Sequence, residues 1–150
     1  MELALAKHLS DTLSPDATTR AEAERALEVA VHDEGYATSL LKIALAPIEE
    51  HTRQLAAVIL KKCIREHWSR HDRLFVAPEI SANEKAVIKQ ALPSGLGETN
   101  SKIRTAMAMA IAQVAVNEWP GEWPELTTTL VDGIRARRSK AEVLGCLKCY

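Results

Sequence analysis

The chain has 150 residues, of which 47% are hydrophobic and 26% charged, with only 6 Gly and 6 Pro, a composition that excludes collagen, low-complexity disorder and a disulfide knot. Lys plus Arg total 19 against 20 for Asp plus Glu, a net charge of -1, so no global field marks a nucleic-acid or polybasic membrane binder, and any charged partner must be met locally. The longest stretch without a charged residue, Thr105 to Asn117, covers 13 residues, short of the roughly 18 that a membrane-spanning helix needs.

Apolar residues recur at three- and four-residue spacings along the chain, β-branched alternation is absent and aromatics are only 4%, so the pattern predicts an all-helical domain. The first helix is expected from Glu2 to Leu13, with Leu5, Leu9 and Leu13 on one stripe. Its opening, MELALAKHLSD, carries charges at Glu2, Lys7 and Asp11 and lacks the basic leader and apolar run of a signal peptide. Synthesis is therefore expected to end in the cytosol, with the three cysteines as reduced thiols.

Ser14 and Pro15 offer an N-cap and a first-turn proline for a second helix ending near Asp33, where Gly35 stops it. A third helix spans about Tyr36 to Ala46, and a fourth, after Pro47, runs from Glu49 to Trp68 with acids in its first turn, as the macrodipole favours. Residues 69–80 read as a loop. Ser81 caps a helix reaching Leu92, Gly95-Leu96-Gly97 turns the chain, and Asn100 caps a sixth helix, Ser101 to Glu118. After the corner Trp119 to Pro124, two more helices cover Pro124 to about Arg137 and Ser139 to the C-terminus. Eight helices make about four hairpins.

Two segments resemble each other: RQLAAVILKKCIREHW from Arg53 overlays RTAMAMAIAQVAVNEW from Arg104 at an offset of 51, placing Leu60 on Ile111, Cys63 on Val114 and Trp68 on Trp119. A fainter copy, RAEAERAL, begins at Arg20, an offset of 33. These steps bracket the roughly 40 to 47 residues of a HEAT or armadillo repeat, so the expected architecture is a right-handed helical-repeat solenoid. On the fourth helix Ala56, Ala57, Ile59, Leu60, Cys63 and Ile64 fall on one arc, and Gln54, Val58, Lys61, Lys62 and Arg65 on the other. The sixth helix has Thr105, Met109, Ala112 and Val116 where the fourth has its basic strip, making Met109 and Val116 candidates for an apolar contact.

Helix hairpins opening with TRAEAERAL and followed by RQLAAVILKKCIREHW resemble the N-terminal region of the importin-β (karyopherin-β) nuclear transport receptors, and LPSGLGETNSKIRTAMAMAIAQVAVNEWPGEWPEL is most similar to the importin-9 branch. The resemblance runs from about Leu13 to Leu126. It implies an N-terminal Ran-binding domain at about residues 21–99, binding of Ran-GTP, protein cargo that in this branch includes basic proteins such as histones, contacts with phenylalanine-glycine nucleoporins, and residence in cytoplasm, nucleus and nuclear pore. The second helix of each hairpin would line the inner face, making Gln54, Lys61, Lys62 and Arg65 the Ran-binding candidates. Such receptors are many times longer, so the chain is expected to be a truncated segment, as the uncapped stripe Val143, Leu144 and Leu147 also suggests. The alternative function is a helical-repeat scaffold that binds partners without GTPase dependence.

The remaining motifs favour no catalysis, metal or cofactor. Cys63, His67 and His71 have i, i+4 spacing for a metal, but Cys63 sits on the apolar arc and the helix ends before His71. Cys146 and Cys149 form a CxxC without the βαβ context of a redox motif. Gly95-Leu96-Gly97 lacks the rest of a phosphate-cradling loop, and the five histidines have no nucleophile elbow or carboxylate pair beside them. Arg135, Arg137, Arg138 and Lys140 read as helix-end cations, and Trp119 and Trp123 as covers for hairpin ends.

Overall fold

A computed structural model describes residues 1–136 and 140–149, and among these eight α-helices and no strand occur: α1 (Glu2–Asp11), α2 (Ala17–Ala30), α3 (Tyr36–Leu45), α4 (Glu50–His67), α5 (Ala82–Ala91), α6 (Ser101–Glu118), α7 (Leu126–Ala136) and α8 (Lys140–Cys149). A 3₁₀ turn, Leu92–Gly97, joins α5 to α6. The expected limits at Arg137 and Ser139, the cluster members Arg137 and Arg138, Tyr150 and the side chain of Cys149 lie outside what is described.

Local chemistry explains the boundaries. Ser81 and Asn100 cap α5 and α6 as expected, their side chains accepting from Glu84 N and from Lys102 N and Ile103 N. The cap of α2 is Asp16 instead of Ser14: its carboxylate accepts from Thr19 N at 2.8 Å and Thr19 Oγ1 at 2.6 Å, whereas Ser14 Oγ reaches only Asp16 N. Leu13 leaves the α1 stripe and is 53% exposed, because Leu13 N and Ser14 N bond three residues back, to Ser10 O and Asp11 O, and tighten the last turn. The same i to i−3 bonding, from His32 N to Val29 O and Asp33 N to Ala30 O, ends α2 short of Asp33.

The helices stack in two layers. Helix α1 lies against α3 and α3 against α5, while α4 lies against α6 and α6 against α8; the pairs α1 with α2, α3 with α4 and α7 with α8 bridge the layers. This is a HEAT-type solenoid, in which each hairpin buries its apolar face on the next. Between the layers Leu9, Leu40, Leu60, Ile64, Ile88 and Ile111 are fully buried, each contributing about 1.5 to 3 kcal/mol of apolar burial. The 3₁₀ turn is wedged between α6 and α8: Gly95 packs on the Met107 side chain and Gly145 on the backbone of Leu96, where a Cβ at either position would collide.

Repeat equivalence extends to polar bonding. Arg20 Nη1 donates to the carbonyls of Ser14 and Pro15, and Arg104 Nη1 to those of Glu98 and Thr99, the same positions relative to each arginine. Arg53 Nε donates to Ala44 O, and its Nη2 pairs with Glu98 at 2.5 Å. Each arginine thus braces chain that precedes its own helix. Arg104 Nε is the one buried side-chain nitrogen or oxygen without a partner among the described residues.

One cap crosses hairpins. Gly35, at φ 87°, starts α3 with no side chain to cap it, and Glu84 of α5 supplies the oxygens, accepting from Gly35 N at 3.2 Å and Thr38 N at 2.8 Å. Glu84→Ala leaves these amides unsatisfied in a part-buried site, and urea unfolding is expected to show a loss of about 1 to 3 kcal/mol. A loss no larger than that of an exposed substitution would remove this cap from the account of stability.

Candidate interaction surface on the inner helices

Helix α4 presents the strip read from the sequence. Its start is held by Glu49, whose carboxylate is drawn down to about 2 by the backbone amides of His51 and Thr52 and the His51 ring. Ala56, Leu60 and Ile64 face the core at 0% exposure. On the far side Lys62 and Arg65 are exposed and Lys61 and Gln54 half-buried. Gln54 Nε2 donates to Glu50 and Arg65 approaches Glu66 at 3.7 Å, but Lys61 and Lys62 make no hydrogen bond or ion pair with any described residue.

Helix α6 lies alongside α4 and exposes Met109 (51%) and Val116 (80%), with Ala112 between them. Thr105, at the head of this row, is half-buried and accepts from Lys148 of α8. The structure thus sets the basic strip of α4 beside the apolar strip of α6.

A groove of about 390 Å³, not anticipated from the sequence, separates α2 from α4; Leu27, Val31, Ile59 and Cys63 line it, with Glu28, Lys62 and Glu66 at its charged edges. His67 closes one end, its Nδ1 at 2.6 Å from Val76 O and 2.9 Å from Pro78 O, so this nitrogen carries the proton. Burial, followed by the charges of Glu84 and Glu66, pushes the Cys63 thiol up to about 12. The protonated form is favoured in the folded state, and Cys63 is expected to resist iodoacetamide at pH 8 until denaturant is added. Rapid alkylation of Cys63 in the native protein would contradict its burial.

The other motifs are dispersed. His71 is exposed beyond the end of α4, His67 is committed to two carbonyls, and no metal-holding group of three ligands occurs among the described residues. Gly95-Leu96-Gly97 lies in the 3₁₀ turn, Cys63 and Cys146 are buried, and Arg135 and Lys140 are exposed.

The repeat overlay fails at the tryptophans. Trp68 is 1% exposed, donates from Nε1 to Glu118 at 2.9 Å and lies under the Lys85 ammonium. Trp119, expected to cover a hairpin end, is 52% exposed, because its backbone is extended (φ −83°, ψ 142°) where Trp68 continues the helical path (φ −74°, ψ −47°). Trp123 is buried at 5% and does cover the corner. Glu118 ties this end together, also accepting from Lys89 at 2.7 Å.

The model of the importin-beta N-terminal domain matches residues 23–98, slightly over half of the chain, and Importin-9 of Drosophila melanogaster is 31% identical over 132 residues, 85% of this chain and 13% of that protein. The chain belongs to the importin-β family. Importin-11 of Homo sapiens is 30% identical over 86% of this importin-β chain and 13% of its own length. Among solved structures, Kap95p in a study of RanGDP matches with a TM-score of 0.81 at 25% identity over 98% of this chain and 18% of that one. Exportin Cse1, TM-score 0.81 at 21% identity over 99% and 16%, shares the fold. These relatives are importins and exportins, a family of transport receptors. The chain spans about 13% of the length of the curated relatives it matches. The matched domain contains the α4 strip and stops before α6, so Met109 and Val116 lie beyond it.

Proposed function

We propose that this chain is the N-terminal part of a nuclear import receptor that binds Ran-GTP through the inner face of α4 and serves protein transport between cytoplasm and nucleus. The observation that carries the reading is the pair of unpartnered cations, Lys61 and Lys62, on an exposed strip inside the matched importin-β domain. Lysines without intramolecular partners keep their full charge available to a protein ligand and steer its approach. Kap95p, which resembles this chain along nearly its whole length, is described as binding RanGDP and moving its switch loops into the GTP-bound conformation. That supports a GTPase partner of the same kind for this chain, with Gln54, Lys61, Lys62 and Arg65 as contacts and about residues 21–99 as the binding domain. Protein cargo and phenylalanine-glycine nucleoporins are further partners on this reading, met largely by the rest of a full-length receptor.

The test is a pull-down of the chain with Ran loaded with GTP or GDP. Preferential retention of the GTP form supports the proposal. Equal retention of both forms, or of neither, favours a helical-repeat scaffold without GTPase dependence.

A further inference from the structure

Where the chain passes from α2 to α3 and from α4 to α5, the two corners border another cavity, of about 260 Å³. Asp33 and Glu34 line it from the first corner, Glu79, Ile80 and Ser81 from the second. Gln54, Lys61, Lys62 and Arg65 do not line it, so what it binds does not depend on whether Ran binds.

Two polar side chains in its wall are more than nine-tenths buried, Tyr36 at 5% exposure and His67 at 6%. Each has an atom with nothing to bond. The Tyr36 hydroxyl makes no hydrogen bond with any described residue, and the His67 ring, whose Nδ1 donates to Val76 O and Pro78 O, makes none at Nε2. Arg104 Nε is the one fully enclosed side-chain nitrogen or oxygen without a partner among the described residues. The hydroxyl and Nε2 therefore keep a share of open space, and the space beside both side chains is this cavity where it adjoins the groove between α2 and α4. Burial, followed by the Cys63 thiol, pushes the Tyr36 phenol up to about 12, so it stays neutral and offers its oxygen as an acceptor.

The charge around the cavity has one sign in excess. Asp33, Glu34, Glu79 and Glu84 line it, and no lysine or arginine does. The cations bound to this set are Arg70 and Lys85, both on Glu79, at 2.6 and 2.8 Å. Asp33, Glu34 and Glu84 form no ion pair with a described residue: Glu34 accepts from the Ser81 hydroxyl, and Glu84 from the amides of Gly35 and Thr38, neutral donors that leave each charge in place. Lys62 lies on the adjoining groove, which Glu28 and Glu66 also line. The remaining titratable groups of the lining are the rings of His32 and His67, the Tyr36 phenol and the Cys63 thiol.

We propose that this cavity binds a small organic cation, a guanidinium group carried on a short apolar chain. Guanidinium is planar and always charged, with five N–H donors and no acceptor. The lining offers what such a group needs: the carboxylates of Asp33, Glu34 and Glu84, the Tyr36 oxygen and, in the neutral ring, the lone pair of His67 Nε2. Val31, Ala37, Pro78 and Ile80 supply apolar surface for the chain that carries it. An anion would meet the excess of carboxylates, and no metal-holding group of three ligands occurs among the described residues. The volume of about 260 Å³ falls below the roughly 300 to 1,000 Å³ usual for drug-sized ligands, which restricts the occupant to a small molecule.

The experiment titrates the 150-residue chain with N-butylguanidinium and with N-butylurea, an uncharged molecule of nearly the same shape, by isothermal titration calorimetry. The cation is expected to bind at least about tenfold more tightly than the urea, and two-dimensional amide NMR should show its shifts concentrated at residues 33–38 and 79–84. Asp33→Asn with Glu34→Gln, which spares the Glu84 cap, should weaken the cation by about tenfold or more and flatten its salt dependence. Tyr36→Phe removes an oxygen that holds nothing in the free protein, so it should weaken the cation by about threefold or more, the worth of one hydrogen bond, with thermal unfolding unchanged. Absence of binding, equal affinity for cation and urea, shifts confined to other parts of the chain, or indifference to Asp33→Asn with Glu34→Gln would overturn the proposal. Acetyl-Gly-Arg-Gly-amide binding at least about tenfold more tightly than N-butylguanidinium would overturn it in favour of an arginine side chain of a partner protein.

Discussion

Leu60→Ala is expected to lower stability by about 2 to 5 kcal/mol, because a buried leucine in a packed helix pair leaves a cavity that the surrounding structure fills only in part. Leu60 is 0% exposed, on the face of α4 that meets the core and in a helix packed against both α3 and α6. At about 2 to 4 °C per kcal/mol for a domain of this size, thermal unfolding should move down by about 4 to 20 °C. Ile111→Ala should behave alike, since it holds the equivalent place on α6 and is also 0% exposed. Val58→Ala, one helical face away and 49% exposed, provides the comparison and should shift stability by less than about 0.5 kcal/mol. A Leu60→Ala shift no larger than that of Val58→Ala would mean that the facing of α4 is wrong.

Reversing Lys61, Lys62 and Arg65 together to Glu is expected to weaken binding of Ran-GTP by at least about tenfold, or about 1.4 kcal/mol, with unchanged far-ultraviolet circular dichroism. The strip takes no part in the core: Lys61 and Lys62 have no partner among the described residues and Arg65 has only the 3.7 Å approach to Glu66. Each single reversal should do less, chiefly by slowing association, because charges at an interface rim act mainly on the encounter rate. The loss should shrink as salt is raised toward a Debye length of a few ångströms. Unchanged affinity in the triple variant would remove the strip from the proposed GTPase interface.

Features governed by near neighbours in the chain are legible in the amino-acid sequence. The all-helical fold, the caps at Ser81 and Asn100, and the buried arc of Ala56, Leu60 and Ile64 depend on residues within a turn or two of one another, where helical period and capping chemistry operate. The basic strip and the exposed Met109 and Val116 are visible for the same reason, as the opposite faces of helices whose apolar arcs are clear. Sequence and structure part where two local signals compete. Ser14 and Asp16 both offer a cap to α2, and the charged oxygen of Asp16 prevails.

By itself the sequence determined the helices, their repeat and which side of α4 carries charge, since each of these is written in one helical period. Tertiary structure alone decided what depends on residues distant in the chain. Glu84 caps α3 across 49 residues, Trp68 is secured by Glu118 across 50, and the groove between α2 and α4 exists only once the hairpins are stacked. It also decided that Trp119 turns outward although it overlays Trp68 in the repeat. The physical reason is that a repeat records the residue type at each position, whereas burial depends on the backbone direction and neighbours that the stacked hairpins supply.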